Sequence, residues 1–418
     1  MRRCVLPLAA LAAGLALAPL AAQDDMRDVV ERRDGRQVTG RVLTPFGADE
    51  LVVVQGGKRV RVPRADVAKM DLVADRIRTF CERRVKQQKS QKAQAFLIDV
   101  ANDQKLPSLA RLQAMWVVLN DDTDAHAHEL LGHTKGPKGW LWEHDGKRLT
   151  VDQLDTALAK SPMKLRGERF TLQFDAGLKA NVGALLDLEY LGAVWFDRFG
   201  KELGLHEVLL PVDVVAFRND AEFPKWGFRP MPYFVPAPHG DVARTFYADA
   251  VRPEKLFFVG THGLLYHSLI GEVSRTDDRD RVCPWIEIGL GMQMELTMAG
   301  PSGYAAPGEL RMQGTEAMSA LNRGYRLTHL LHLPMYGSFY LTDDMATSTN
   351  WSAAAMFVSW LLQTDNKPPT RERFLELARQ SLGERKGDST TAFDKLMGTR
   401  VEDLDAPWRE WLNKKAGY

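Results

Sequence analysis

Two apolar segments, each long enough for a helix, constrain this chain more than any other feature. The first begins at Leu256 and carries His262 and His267, and the second follows a Cys-Pro-Trp turn and ends at Glu295. A charged loop joins them. Apolar runs of this length predict helices. The sequence therefore predicts a helix pair at the centre of a large domain, with histidines on its first helix and acids on its second.

The size and composition of the chain set its broad class. Its 418 residues are 45% hydrophobic and 26% charged, which is typical of a globular protein with two or three domains. The formal net charge of +1 gives no reason to expect nucleic acid or an anionic membrane as a partner.

The N-terminus has the pattern of a secretory signal peptide over residues 1–22. Met1-Arg2-Arg3 is a short basic region, an Ala/Leu run follows from Val5 to Leu20, and Ala21-Ala22 supplies small residues at a cleavage point. We expect export to the periplasm, the cell envelope or the medium. A membrane anchor is the weaker alternative, because the run is short and prolines interrupt it. No later stretch is long and apolar enough to predict a membrane span.

Two cysteines, Cys81 and Cys283, remain after cleavage. One disulfide between them is compatible with an oxidising compartment, but two cysteines make neither a disulfide framework nor a metal cluster. The sequence leaves open whether they pair.

Changes of periodicity divide the mature chain into four parts. Residues 23–74 alternate apolar and polar positions and predict a small β-barrel-like unit, and residues 75–134 have the spacing of a helical hairpin. Residues 135–164 form a turn-rich connector whose tryptophans are expected to pack over a neighbouring surface. Residues 165–418 begin with strands and continue with helices, which indicates an α+β domain.

The segment His128-Glu129-Leu130-Leu131-Gly132-His133 looks like the zinc-binding motif HExxH but has one residue too many. On an α-helix, five steps place two side chains about 140° apart, whereas four steps leave about 40°. Gly132 also predicts a helix end. We therefore expect His126, His128 and His133 to face solvent and to hold no metal.

Several short motifs carry a resemblance to a known family. They are Tyr266-His267-Ser268-Leu269 in the first central helix, Pro284-Trp285-Ile286-Glu287-Ile288-Gly289 in the second, and the tail motifs Trp351-Ser352-Ala353-Ala354, Phe393-Asp394-Lys395-Leu396-Met397-Gly398 and Trp408-Arg409-Glu410-Trp411-Leu412. With these motifs, residues 165–418 resemble the peptidase-MA-like family of exported bacterial proteins, within the gluzincin class of zinc metallopeptidases. The resemblance implies a gluzincin-like (zincin) domain.

Carried over residue by residue, the resemblance implies a degenerate site. The family's first helix reads His-Glu-x-x-His. With His267 in the place of the second histidine, Gly263 replaces the first and Leu264 replaces the general-base glutamate. Ile288 replaces the third ligand, on the second helix. None of the three replacements can bind zinc or take a proton from water through its side chain. We therefore expect no catalytic residues, no metal and no cofactor.

Other residues leave a rearranged zinc site open as an alternative. It would draw on His262, His267 and Glu287, although the two histidines are five apart and Glu287 lies one step from the expected ligand position. Glu287 is expected on a solvated helix face. His329 and His332 are three apart and can in principle share a metal, but their surroundings favour a packed helix end.

Three functions remain open at this stage. The preferred one is an exported pseudopeptidase whose groove, lined by Trp285, Tyr266 and Tyr233, binds a peptide or protein partner without cutting it. The second is an active zinc-dependent peptidase with a rearranged metal site. The third is a structural cell-envelope protein.

Overall fold

The structure, a computed structural model, describes residues 27–44, 49–137, 139–208, 211–217, 233–236, 243–246, 254–270, 283–299, 309–334, 338–339, 344–363, 370–383 and 389–416. It is built of both helices and strands, which confirms the predicted α+β class. The predicted signal peptide and the charged loop between the central helices lie outside the described residues. No helix in the described part of the chain is long and apolar enough to cross a membrane.

The first module is an open antiparallel sheet. Its strands are β1 (Asp28–Arg32), β2 (Gln37–Val42), β3 (Glu50–Gln55), β4 (Lys58–Pro63) and β5 (Val67–Asp71), in the order β4-β3-β2-β1-β5. Alternate residues are buried, as at Leu51 and Val53 of β3, so one face carries a small apolar core. The expected barrel-like unit is not a closed barrel over the described residues, because β5 pairs with β1 and leaves β4 as the other edge.

Four helices follow this sheet: α1 (Val73–Lys86), α2 (Gln91–Asp103), α3 (Pro107–Asn120) and α4 (Ala125–Leu130). Side-chain caps mark two of their starts, since Ser90 accepts the N–H of Ala93 and Asp124 accepts the N–H of Ala127. α2 packs on α3, while α1 and α3 pack on the long first helix of the large domain. Their apolar side chains therefore belong to the same core as that domain.

A short antiparallel meander comes next, consisting of β6 (Thr134–Gly136), β7 (Gly139–His144) and β8 (Lys147–Leu149). The helix α5 (Val151–Leu158) follows it. Thr150 and Gln153 form a capping box at the start of α5, which satisfies two backbone N–H groups there.

The large domain is built on a second five-stranded sheet. Its strands are β9 (Lys164–Arg166), β10 (Phe170–Phe174), β11 (Val212–Ala216), β12 (Tyr233–Pro236) and β13 (Ala243–Phe246), in the order β12-β13-β11-β10-β9. β10, β11 and β13 run parallel, and the edge strands β9 and β12 are antiparallel to their neighbours. The helix α6 (Leu178–Phe199) crosses from β10 to the parallel strand β11, as in a βαβ unit.

Helices form the rest of the domain. They are α7 (Glu254–Leu265), which continues as a π-helical turn (Tyr266–Ile270), α8 (Pro284–Ala299), α9 (Glu309–Asn322), α10 (Leu327–His332), α11 (Asp344–Leu361), α12 (Arg371–Gly383), α13 (Ser389–Met397) and α14 (Asp405–Ala416). α8 packs between α7 and α11. Trp285 of α8 is fully buried near the rings of Phe357, Phe374 and Phe393, which ties the C-terminal helices to the central pair.

The N-terminal sheet contacts the large domain at a buried ion pair between Arg169 and Glu207. Arg169 donates two hydrogen bonds to the Glu207 carboxylate, at 3.0 and 2.9 Å. The N–H of Glu207 bonds to the carbonyl of Leu43 at 2.9 Å, and Arg41 Nη2 lies 3.8 Å from Glu207 Oε1. A buried carboxylate is stable only with such partners. Through Arg41 and Leu43, β2 and the segment after it are therefore held against Glu207 of the large domain.

Candidate functional site

The two predicted central helices, α7 and α8, lie directly against each other. Glycines permit this close approach. A Cβ added at Gly291 of α8 would lie 2.6 Å from His262 Nε2, and one added at Gly263 of α7 would overlap Val212 of β11. α7 is therefore enclosed by α8 on one side and by the sheet on another. α8 is enclosed as well, since every described side chain from 284 to 298 is buried.

Gly263, Leu264 and Ile288, the three positions that the sequence resemblance aligns with the ligands and general base of a zinc peptidase, lie in the core. Gly263 faces Val212 of the sheet, and the side chains of Leu264 and Ile288 are fully buried. A histidine at position 263 would collide with β11, because even a single added carbon overlaps Val212. A metal ligand at this position would therefore point into the sheet.

His267 lies in the π-helical turn that follows α7. Burial lowers the pKa of its imidazole, and the charge of Asp213 on β11 opposes that shift. Its Nε2 is buried without a hydrogen-bond partner among the described residues. His267 is thus one turn beyond Gly263 and, like it, close to β11.

The structure instead brings His262 and Glu287 together. His262 Nδ1 lies 3.5 Å from Glu287 Oε1, and the two side chains are 1% and 2% exposed. The expectation that Glu287 faces solvent is wrong, because α8 is covered by α7 and α11. Glu295, further along α8, is buried as well. A carboxylate buried in this way requires a polar or charged neighbour, and His262 supplies one.

Aromatic side chains fill the space around this pair. Phe258, one turn before His262, has its ring centroid 4.3 Å from the imidazole and 4.6 Å from the ring of Trp351 on α11. Catalytic zinc takes three protein ligands and an open fourth position. His262 and Glu287 supply two, and in the described part of the chain no three His, Cys, Asp or Glu side chains are grouped to hold a metal. The described residues around His262 and Glu287 do not supply the three ligands of a catalytic zinc site.

The two histidines of α7 and its π-helical turn have different neighbours. The angle of about 140° expected for two residues five apart holds only for a continuous α-helix, and this helix changes to π geometry at Tyr266. His262 contacts Glu287 of α8, whereas His267 responds to Asp213 of β11. These contacts give no support to a metal site that uses both imidazoles.

The residues expected to line a groove have separate positions. Trp285 lies in the core, as described above. Tyr266 is half-buried beside His267, with ring centroids 5.6 Å apart. The side chain of Tyr233 lies outside what the structure describes. The groove itself stays a prediction.

Cys81 and Cys283 are both buried and are not joined as a disulfide. Burial raises the pKa of the Cys81 thiol to about 12. Since the thiolate is the reactive form, this cysteine is chemically inert in the folded protein.

The HExxH-like segment differs from its expected exposure. α4 ends at Leu130, and Gly132 has a φ of +72°, as predicted for a helix end. The chain turns back there, and His133 comes to lie with its Nδ1 2.8 Å from Nδ1 of His128. His128 is only 2% exposed and His133 is half-buried, so the expectation of solvent-facing side chains is correct for His126 alone. The helical angle does not relate the two rings, because His133 is not on the helix.

His329 and His332 are exposed on α10, whose leucines are buried. Arg323 and Arg326 line the same open cleft of about 580 Å³. Positive charge beside two imidazoles disfavours a metal cation, so the predicted packed helix end is the better description.

Comparison with protein-family models, with curated protein sequences and with solved structures finds no match to this chain.

Proposed function

We propose that this protein is an exported, catalytically inactive relative of the gluzincin metallopeptidases that works by binding a peptide or protein partner. The observation that carries the proposal is the buried contact between His262 and Glu287 in a space filled by aromatic rings. A metallopeptidase keeps that space open for the metal, its water and the substrate. In this protein aromatic side chains occupy the space that a metallopeptidase leaves for its metal.

The order of the elements supports the gluzincin-like part of the proposal. A βαβ unit and further strands come first, and two neighbouring helices follow them, one against the sheet and one against the first helix. The resemblance implies ligands on two adjacent helices of this kind. The contact between His262 and Glu287 joins those two helices.

The observed contacts favour a different alignment of the motif from the one implied by the sequence. With His262 in the place of the second histidine, Phe258 replaces the first, Val259 replaces the general base, and Glu287 stands as the third ligand. The two remaining ligands are then the two that touch. Phe258 fills the missing ligand's place with a ring that contacts His262. Val259 cannot take a proton from water, and general-base help is worth about 10²–10⁴ in rate.

The substitution Phe258→His tests this alignment, because it adds a nitrogen donor beside His262 and Glu287. We expect the wild-type protein, purified from zinc-supplemented culture, to hold far less than one zinc per chain, and the variant to gain about one. Phe258→Leu is the matched control, since it removes the ring and adds no donor. Stoichiometric zinc in the wild type would contradict the proposal and indicate a working metal site. A folded Phe258→His variant without zinc would refute the alignment.

Export and partner binding have their own tests. N-terminal sequencing of the protein expressed with its own leader is expected to begin at Gln23, and uncleaved protein retained in the cytoplasm would contradict export. Partner binding is tested by cross-linking the full mature chain in the periplasmic fraction. We expect one specific cross-linked partner with the full mature chain. Only the non-specific products of an unrelated exported protein would contradict a binding role.

A further inference from the structure

A cleft of about 540 Å³ lies between α3, α4, β7 and the start of α5, outside the peptidase-like site. The indoles of Trp140 and Trp142 form part of its wall, and Asn120, Asp122 and Asp152 place polar groups around it. The volume lies within the range of small-molecule sites, which combine apolar walls with a few oriented polar groups.

A chain of hydrogen bonds holds the aromatic wall in place. His128 Nε2 lies 3.0 Å from the carbonyl oxygen of Asp122, which can only accept, so Nε2 carries the proton and Nδ1 offers a lone pair. His133 Nδ1 lies 2.8 Å from that lone pair and donates to it. His128 stacks on Trp140 with ring centroids 4.0 Å apart, and His133 contacts Trp142 at the same distance. The four rings are ordered before any ligand arrives, which reduces the entropic cost of binding.

The charges around the cleft disfavour an anionic ligand, and a positive charge already lies near the indole of Trp140. Asp122 and Asp152 are exposed, and neither carboxylate hydrogen-bonds to another described residue, so an anion meets repulsion. Lys135 Nζ lies 5.8 Å from the ring centroid of Trp140, so a cation approaching this indole meets a positive charge already over it. Burial lowers the pKa of His133 to about 4, which keeps its imidazole neutral at pH 7.

The polar groups suit a ligand that is rich in hydroxyl groups. The carboxylates of Asp122 and Asp152 accept hydrogen bonds from hydroxyls. Asn120 offers its Oδ1, because its Nδ2 is already bonded to the carbonyl of Trp116 at 2.7 Å. Trp140 and Trp142 line the cleft, and their apolar ring atoms can pack against the C–H groups of a sugar ring. We propose that this cleft binds a neutral saccharide.

Titration of the mature full-length chain with maltotriose, cellotriose and triacetylchitotriose tests the proposal, with tryptophan fluorescence and calorimetry as readouts. Tetramethylammonium and inorganic phosphate serve as the cationic and anionic probes. We expect saturable binding of at least one saccharide and none of either ion. Absence of saccharide binding up to about 10 mM, or saturable binding of an ionic probe alone, would overturn the proposal.

Variants locate the binding in the cleft. The double substitution Asp122→Asn with Asp152→Asn is expected to weaken saccharide binding about tenfold, since hydrogen bonds to charged groups are the stronger ones. Trp140→Ala is expected to abolish binding, and Glu143→Gln, on an exposed position of β7, is the control without effect. If Trp140→Ala does not fold, the double variant decides, because its two side chains are exposed. Unchanged affinity in the folded double variant would refute the site.

Discussion

Replacing Glu189 with glutamine is expected to stabilise the protein at neutral pH and to leave it almost unchanged in acid. Glu189 of α6 is fully buried, and its Oε1 accepts the N–H groups of Arg169 and Phe170 at 2.9 and 3.1 Å. Its Oε2 is buried without a hydrogen-bond partner among the described residues. Gly167 makes the position possible, because a Cβ there would overlap the carboxylate. Burial, with repulsion from Glu168, raises the pKa of Glu189 to about 7.

The magnitude follows from the difference in proton binding between the folded and unfolded states. An unfolded glutamate titrates near its usual value of 4.5, whereas the folded one holds its proton up to a pH of about 7. The folded state therefore binds more protons between these values, and stability falls as pH rises from 4.5 to 7. The difference of two to three units between the folded and the unfolded pKa of Glu189 corresponds to roughly 3 kcal/mol of stability lost above pH 7. Glutamine keeps the accepting oxygen and carries no charge, so about 1–3 kcal/mol should be recovered there.

Urea denaturation of the wild type and of Glu189→Gln at pH 4.5 and pH 8, followed by tryptophan fluorescence, measures the effect. Glu207→Gln is the matched control with the opposite sign. Burial raises the pKa of Glu207, but the charge of Arg169 outweighs burial and lowers it, so Glu207 is ionised in the folded protein. Removing this carboxylate charge should destabilise the protein by about 3–5 kcal/mol at pH 8, because Arg169 is left buried without its partner. If Glu189→Gln destabilises the protein equally at both pH values, Glu189 is ionised in the folded state and the reasoning fails.

Two further predictions follow from packing. Gly291→Ala should destabilise the protein by about 1–3 kcal/mol in thermal or urea unfolding, because the added carbon collides with His262. Gly183→Ala, where nothing lies within 4 Å of the added carbon, should instead stabilise α6 by about 0.5–1 kcal/mol, and equal effects at both sites would contradict the helix contact. Cys81 and Cys283 should be inert to a thiol reagent in the folded protein and should both react once it is unfolded without reductant. Rapid labelling of Cys81 in the folded protein would contradict its burial. The absence of reactive thiols after unfolding would show that the two cysteines are not free thiols.

The sequence predicted the parts of the site that depend on local periodicity. The central helices α7 and α8 and the helix end at Gly132 follow from runs and spacings along the chain. The side-chain environment of Glu287 did not follow, because a helical angle gives a direction and not the neighbour that lies there. A signal was present, however. Glu287 and Glu295 are acids in a mainly apolar helix, and burial of such a helix requires partners for them.

By itself the sequence determined the α+β class, the position of the central helix pair and the absence of donor side chains at Gly263, Leu264 and Ile288. Only the tertiary structure decided that Glu287 meets His262 and that His133 meets His128. The physical reason is that helix and strand periods are set by neighbours along the chain. Contacts between elements depend instead on how closely backbones approach and where the chain turns back, which distant residues decide together.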